Sequence, residues 1–562
     1  MASLTKNRIF FLVLVPLFLY VAILPIMPLM EPDEARYADI PSLMNRTGDY
    51  VTPHLNHVVY LEKPPLCYWA TALAFKIFGE NDFSARLFVG LCAWGLILLA
   101  YRMGAVFEDE KTGLYSAAIL TTFLYQIILG RINILDMPLA FFISLSVWAG
   151  YRYFTEDGSP KIRLYLVYFS GGLAFLTKGL IGVVFPFAIL VLWLGLSRRW
   201  HDMLRLVSPG GIAILLMVCL PWIILAQTAN KDFLWFFFVQ EHFLRYTTTM
   251  HGRQEMFMYY IPVLILGTLP WSAYLWKVLR TDRLRTEPFF EKSDARLLWV
   301  WSLFILIFFS VSSSKLIPYV APIFPPLAVV FGRLFRFHED HLFKADICSG
   351  KSRLYALPVF LQTLIFVIAL LLPLMLSGTK WGGKLDYLNL NTWWILITVP
   401  ILAQLSLLFI PGLVQRRWKK GWFVTIYLSA VLFYASSMIP ASHFLAPYKS
   451  AYPLVQAIRK LGLEDRTIYQ YKSSLYGLGF YQNLRTPIVE NIGEMEYGVN
   501  LLPPNEKDRY FLSADAFYRL CREKGDLFCV TKYERKLNEL KKNVPNVEVL
   551  WDNGAYYILH IP

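Results

Sequence analysis

Charge is scarce in this chain. Of its 562 residues only 17% are Asp, Glu, Lys or Arg, while 56% are hydrophobic. A soluble domain carries about a quarter charged and slightly under half apolar residues. That deficit, with long apolar runs, excludes an ordinary soluble protein. The six cysteines include no paired CxxC, so the structural zinc signal is missing. Cys67, Cys92 and Cys219 fall in or beside apolar segments, where cysteine is usually a small core residue. Cys521 and Cys529 flank the turn in "CREKGDLFC" and could form a disulfide or remain two thiols. The first apolar run, from Ile9 to about Leu29, lacks a small-residue cleavage site and is too long for a signal peptide, so a retained helix is expected. Internal repeats and low-complexity tracts are absent too. The net charge of +14 does not call for nucleic acid, because much of the basic excess lies in short loops.

What is present is a series of apolar runs, about thirteen of them, long enough to cross some 30 Å of hydrocarbon. Their centres fall near residues 19, 95, 121, 144, 171, 189, 215, 268, 305, 327, 366, 402 and 430. The connections "LSRRWHDMLR", "KVLRTDRLRTEPFFEKSDAR", "GRLFRFHEDHLFKADICSGKSR" and "VQRRWKK" are rich in Arg and Lys and share one side if the spans alternate, which makes that side cytoplasmic. Segments 30–83 and 228–256 and everything after about 440 then face outward, with the N-terminus inside. Within 30–83, "DEARYADIPSLMNRTG" and "PPLCYWATALAFKIFG" have apolar spacing suited to interfacial helices. In 228–256, Phe233, Trp235, Phe236, Phe237 and Phe238 are expected at headgroup level. The tail alternates strand-like runs ("RTIYQY", "TPIVEN", "DLFCVTKY", "VEVLWD", "AYYILHIP") with helical stretches such as "SADAFYRLCREK". The expected architecture is therefore an α-helical polytopic membrane domain over 1–440 and a soluble α/β domain over 441–562.

Charges at the edge of a membrane are costly and usually face a cavity or a partner. Those on the expected outer side form a short set: Asp33, Arg36, Glu62, Lys63, Arg131, Asp136, Lys178, Glu241, His242, Arg245 and Lys315. They sit at one level, which points to one shared cavity. Asp33 and Arg36 are three apart and share a face of a helix starting after Pro32, although acidic residues in a first turn also serve the helix dipole. Asp136, in "GRINILDMPLAFF", opens a span and could equally be a cap. Lys63 precedes Pro64 and Pro65 and is held in an extended turn. Lys178, in "FLTKGLIG", lies in a connection too short for an ordinary loop and needs an anion, unless it snorkels to headgroups. His242 and Arg245 fall at i, i+3 in "VQEHFLRY", where an interfacial anchor is the plainer reading. Glu62 with His242 could ligate a divalent ion, the one cofactor these residues suggest. Lys315 and Tyr319 share a short outer turn. Carboxylates and fixed cations around one interfacial cavity suit group transfer from a lipid phosphate.

The succession "EPDEARYADI", "GDYVTPHLNHVVYLEKPPLCYW", "ILDMPLAFF", "FLTKGLIGVVFP", "VQEHFLRY", "MYYIPVLILGTLPW" and "SKLIPYVAP" resembles the bacterial 4-amino-4-deoxy-L-arabinose transferases. These are GT-C glycosyltransferases related to the protein O-mannosyltransferases, and the resemblance runs over the whole chain. It implies thirteen spans, a first periplasmic loop with the catalytic aspartate, and a C-terminal periplasmic domain in the bacterial inner membrane. By position in these motifs, Asp33 is the main catalytic carboxylate and Asp136 the second. Arg36, Lys63, Lys178 and Arg245 hold the donor phosphate, with Tyr37 and Tyr319 lining the pocket. The donor it implies is an undecaprenyl-phosphate sugar and the acceptor a phosphate of lipid A, with inversion at the sugar. A protein mannosyltransferase-like activity is the alternative within the class. A polyprenyl-linked sugar transporter is the alternative outside it, disfavoured because no inverted repeat is present.

Overall fold

The computed structural model describes residues 8–244, 255–273, 293–342 and 422–562. The spans expected near 366 and 402 lie outside them. Each of the other expected centres falls in a helix or at the end of one. Five helices are long and apolar enough to cross a membrane, the clearest being Asp82–Phe107 and Pro209–Ala229.

At the head of the chain, Phe10–Ile26 winds as one apolar helical run. It is followed by α1 (Asp33–Thr47) and α2 (Leu66–Phe78), the two short helices expected in 30–83. Pro32 precedes α1 and both Asp33 and Glu34 sit in its first turn, where acidic groups favour the dipole. Between α1 and α2 a small antiparallel hairpin pairs β1 (His54–Leu55) with β2 (Val58–Val59). The bundle continues with α3 (Asp82–Phe107), α4 (Glu110–Thr122), α5 (Asp136–Thr155), α6 (Lys161–Lys178), α7 (Ile181–Leu196) and α8 (Pro209–Ala229). After it come α9 (Ser293–Val311), α10 (Phe324–Leu342) and α11 (Trp422–Lys449). Aromatic rings fill the bundle core: Tyr115 stacks on Phe423 and Tyr125 on Phe324, each at 3.8 Å. The buried Trp271 indole donates to the Thr122 hydroxyl at 2.9 Å. On α8 the flank is open instead, with Met217, Ile224 and Leu225 exposed, as a lipid-facing helix requires.

α11 runs on to Lys449 with Pro440 inside it, so the boundary expected at 440 falls within a helix. The segment 228–244 also differs from expectation. Its turns bring Phe233, Phe236 and Phe237 onto one buried face against Leu61, Phe175 and Trp222, leaving Trp235 exposed. Three of the expected headgroup anchors are thus core residues.

The tail builds one six-stranded sheet in the order β5-β4-β3-β6-β8-β7. β3 (Ile468–Tyr471), β4 (Ile488–Val489), β5 (Phe511–Leu512) and β6 (Leu527–Lys532) are parallel, while β8 (Tyr556–Ile561) adds antiparallel to β6 and β7 (Glu548–Asp552) antiparallel to β8 at the edge. Every strand-like run in the sequence is found, and only the two-residue β5 is additional. Cys521 and Cys529 are free buried thiols. This sheet domain sits directly on the α1–α2 region: Ala35, Ile40, Met44, Leu55, Val58 and Tyr60 share a core with Tyr476, Ile488, Met495, Val499 and Phe511. The segments expected to face outward therefore meet at one end of the bundle.

Candidate active site

Arg36 is the hub of this end. It is buried on α1, and its guanidinium pairs with Asp33, one turn back on the same face, and with Glu494 from the tail. The rings of Tyr37, Tyr60 and Tyr476 surround it at 5.1, 5.8 and 5.9 Å. Asp33 itself is open, with its side chain 56% exposed. The Tyr60 hydroxyl lies 3.1 Å from Glu494 and 3.3 Å from Glu62. Lys63, held in the bend before Pro64, reaches the Glu62 carbonyl at 3.0 Å and Glu241 at 3.3 Å. Burial raises the Glu62 carboxyl, Lys63 pulls it back down, and Glu494 and Glu241 push it up again.

A second cluster lies at the start of α5 and the end of α6. Lys178 Nζ is 2.5 Å from Asp136 Oδ1 and 4.7 Å from the centre of the Tyr319 ring. Lys178 closes α6, and Gly179 takes φ +83° to turn the chain at once into α7, a conformation that glycine adopts freely. The anion that Lys178 needs is thus Asp136, and the Leu135 side chain before Asp136 makes no cap. Cys67 lies within electrostatic reach of both Asp136 and Lys178. The first turn of α2 therefore runs from the Lys63 bend to this second pair.

Other expected charges serve the scaffold. Lys315 Nζ is buried and donates to the Ser312 carbonyl at 2.7 Å, and Arg131 donates to the Ile23 carbonyl at 2.8 Å. Arg245 and the side chain of His242 lie outside the described residues. Among the described residues no group of three or more His, Cys, Asp or Glu side chains is arranged to hold a metal.

Several pairings here escaped the sequence reading. Glu34 accepts from Arg86 Nε at 2.7 Å and Nη2 at 2.8 Å, and from the Asn133 amide at 2.8 Å, tying α1 to α3 and to the loop before Asp136. Asp39 pairs with Arg485 at 3.0 Å. Glu494, in "EMEYGVN", reaches Arg36 only because the tail folds back. Glu34 and Arg86 are each visible as charges beside apolar runs, but their pairing depends on tertiary packing.

Beside the second cluster, an apolar cavity of about 560 Å³ is lined by Tyr125, Met256, Tyr259, Pro262, Leu266 and Ile317. Tyr125 lies within electrostatic reach of Asp136, so this cavity and the Asp136–Lys178 pair are neighbours.

These features have counterparts. The family model of dolichyl-phosphate-mannose-protein mannosyltransferases matches residues 62–225. The undecaprenyl phosphate-alpha-4-amino-4-deoxy-L-arabinose arabinosyl transferase of Aeromonas hydrophila is 28% identical over 537 residues, 93% of each chain. The protein of the same name from Pseudomonas aeruginosa is 33% identical over 311 residues, 54% of each chain. Among solved structures, ArnT from Cupriavidus metallidurans bound to undecaprenyl phosphate superposes with a TM-score of 0.79 at 22% identity, covering 99% of this chain and 98% of that one. Its apo state gives 0.78, covering 100% and 99%. The chain has the helical membrane fold of the GT-C glycosyltransferases, and the relatives it resembles are named as transferases, which makes it an enzyme. Within that class the chain is a relative of the bacterial aminoarabinose transferases, as its motifs implied.

Proposed function

We propose that this protein is an inverting transferase that moves 4-amino-4-deoxy-L-arabinose from undecaprenyl phosphate to a phosphate of lipid A. The reaction takes place at the periplasmic face of the bacterial inner membrane. The observation that carries this reading is the exposed Asp33 carboxylate held by buried Arg36, facing the same end of the bundle as the Asp136–Lys178 pair and its adjoining apolar cavity. The cavity suits a polyprenyl tail, and Lys63, Lys178 and Arg245 supply cations for the donor phosphate. Arg36, expected among them, has both terminal guanidinium nitrogens taken by carboxylates and is better suited to aligning Asp33.

In the reaction the bond from the anomeric carbon to the donor phosphate breaks and its electrons leave with undecaprenyl phosphate. An acceptor phosphate oxygen forms the new bond from the opposite face. Cations beside the leaving phosphate stabilise its growing charge, and carboxylates balance the positive character at the sugar. An acceptor phosphate is already ionised at neutral pH, so Asp33 orients the sugar rather than removing a proton.

The test is expression of wild type and Asp33→Asn in a bacterium without its own aminoarabinose transferase, followed by lipid A mass spectrometry. Modification by wild type alone is expected. Unmodified lipid A from well-expressed wild type sinks the reading. It would favour a protein acceptor, the second reading supported by the mannosyltransferase family match over 62–225.

A further inference from the structure

Tyr68, in the first turn of α2, is 1% exposed, yet its hydroxyl has no hydrogen-bond partner. Its ring lies 6.0 Å from that of Tyr37, and Arg36 and Glu62 are within electrostatic reach of its hydroxyl. Arg36 Nε is also without a partner, although the two terminal nitrogens of the same guanidinium are engaged. Buried polar groups are nearly always paired, and an unpaired one is destabilising by about 1–3 kcal/mol. Two unpaired donors from two helices, in one site, are a built receptor for an oxygen acceptor.

The surroundings say which kind of oxygen. Arg36 pairs with both Asp33 and Glu494, so carboxylates outnumber the one guanidinium at this end of the site. Such surroundings favour a neutral or cationic sugar and leave the donor phosphate to the lysines. Resting on the function proposed above, we propose that Tyr68 is a further substrate-binding residue. Its phenol donates to a hydroxyl or ring oxygen of the lipid-linked sugar.

The experiment compares wild type with Tyr68→Phe, which removes one oxygen and leaves the ring in place. Thermal stability, binding of bare undecaprenyl phosphate, and binding and turnover of its aminoarabinose conjugate are measured on purified protein. A hydrogen bond of ordinary strength corresponds to roughly a three- to tenfold effect. The expected result is a loss of that size in kcat/KM and in affinity for the conjugate. Affinity for bare undecaprenyl phosphate should be unchanged and Tm unchanged or raised, because an unpaired buried hydroxyl has been removed. Full activity in the variant overturns the proposal and leaves the hydroxyl to solvent. Equal weakening of bare and sugar-bearing lipid overturns it in favour of a phosphate contact, and activity lost together with Tm overturns it in favour of packing. Wild type that binds the two lipids alike removes the sugar reading and this proposal together. A wild-type preference for the conjugate that survives intact in Tyr68→Phe removes this proposal alone.

Discussion

The Glu31 carboxylate accepts a 2.6 Å hydrogen bond from the Gly477 amide, 446 residues further along the chain, and a second of 3.2 Å from Tyr476. Gly477 follows β3, and Lys532, within electrostatic reach of Glu31, ends β6. β3 and β6 are neighbours from which the chain departs in opposite directions across the sheet. Open α/β sheets bind their ligands at the carboxyl ends of the strands at such a point. Here that crevice is filled from within, by a residue two positions before Asp33, so the tail domain grips the loop that leads into α1 where other domains of this type grip a ligand.

The grip should be pH-dependent. Burial raises Glu31 from 4.5 to about 8, against the pull of the Gly477 amide and Lys532. Burial lowers Lys532 from 10.5 to about 8, against the pull of Glu31. Asp39, Lys449, Lys536 and Tyr556 complete the charged and titratable surroundings of the pair. An unfolded Glu31 releases its proton near pH 4.5 and the folded one near 8, so its contribution to stability falls as pH rises through that window. Lys532 acts in the next window: between about 8 and 10.5 the unfolded chain binds the extra proton and stability rises. Thermal melts should therefore show Tm falling from pH 5 toward 8, and Glu31→Gln should flatten that decline. An unchanged slope in the variant would remove Glu31 as its source.

Asp136 and Lys178 should behave as one unit. Each is largely buried and each is the other's counter-ion. Removing one partner leaves an uncompensated charge, an effect of about 3–5 kcal/mol for buried pairs. Asp136→Asn and Lys178→Met should each reduce transfer by about 100-fold or more, and the double variant should lose far less than the product of the two. Additive losses would mean that the residues act separately.

Much of this was legible in the sequence. The order of the spans follows from long apolar runs, and the strands of the tail follow from β-branched and aromatic segments between turns. Asp33, Arg36, Lys63, Asp136 and Lys178 stood out because charge is rare in their surroundings. Their pairings were not legible, since Asp136 meets Lys178 only once α5 and α6 pack. Burial of Phe233, Phe236 and Phe237 was misjudged for the same reason: an aromatic at a membrane edge has the same sequence signature whether it faces lipid or protein. Glu494 was invisible because a glutamate in a soluble domain has no reason to be singled out until that domain is seen resting on α1.

Glu494 accordingly gives a direct test of whether the tail completes the site. Glu494→Gln keeps the size of the side chain but removes one of the two negative charges on Arg36. Arg36 then leans on Asp33 alone, drawing that carboxylate inward from its exposed position. Transfer should fall by about tenfold, in keeping with the loss of one charge-assisted hydrogen bond of about 1.5–3 kcal/mol. Tm should change little, because the domain keeps its other ties through Glu31 and through the Asp39–Arg485 pair. Wild-type turnover would leave Glu494 a surface carboxylate with no part in the site.

The tail and the hairpin approach closely at Gly498, where an added Cβ would lie 2.2 Å from the Val59 carbonyl oxygen and 2.8 Å from Val58 Cβ. The first of these is backbone, so no rotamer change relieves it, and either β2 or the tail domain has to move. β2 leads within a few residues to Tyr60, Glu62 and Lys63, all of which contact the site's carboxylates. Overpacking of a close contact typically destabilises by about 1–3 kcal/mol, and here the shift would be passed to Lys63, proposed above to face the donor phosphate. Gly498→Ala should therefore lower transfer by at least about tenfold and make the tail more susceptible to limited proteolysis. The exposed Glu496→Ala on the same helix should do neither. If the two variants behave alike, the contact between hairpin and tail has enough slack to absorb a methyl group, and the domain's grip on the loop rests on its other contacts.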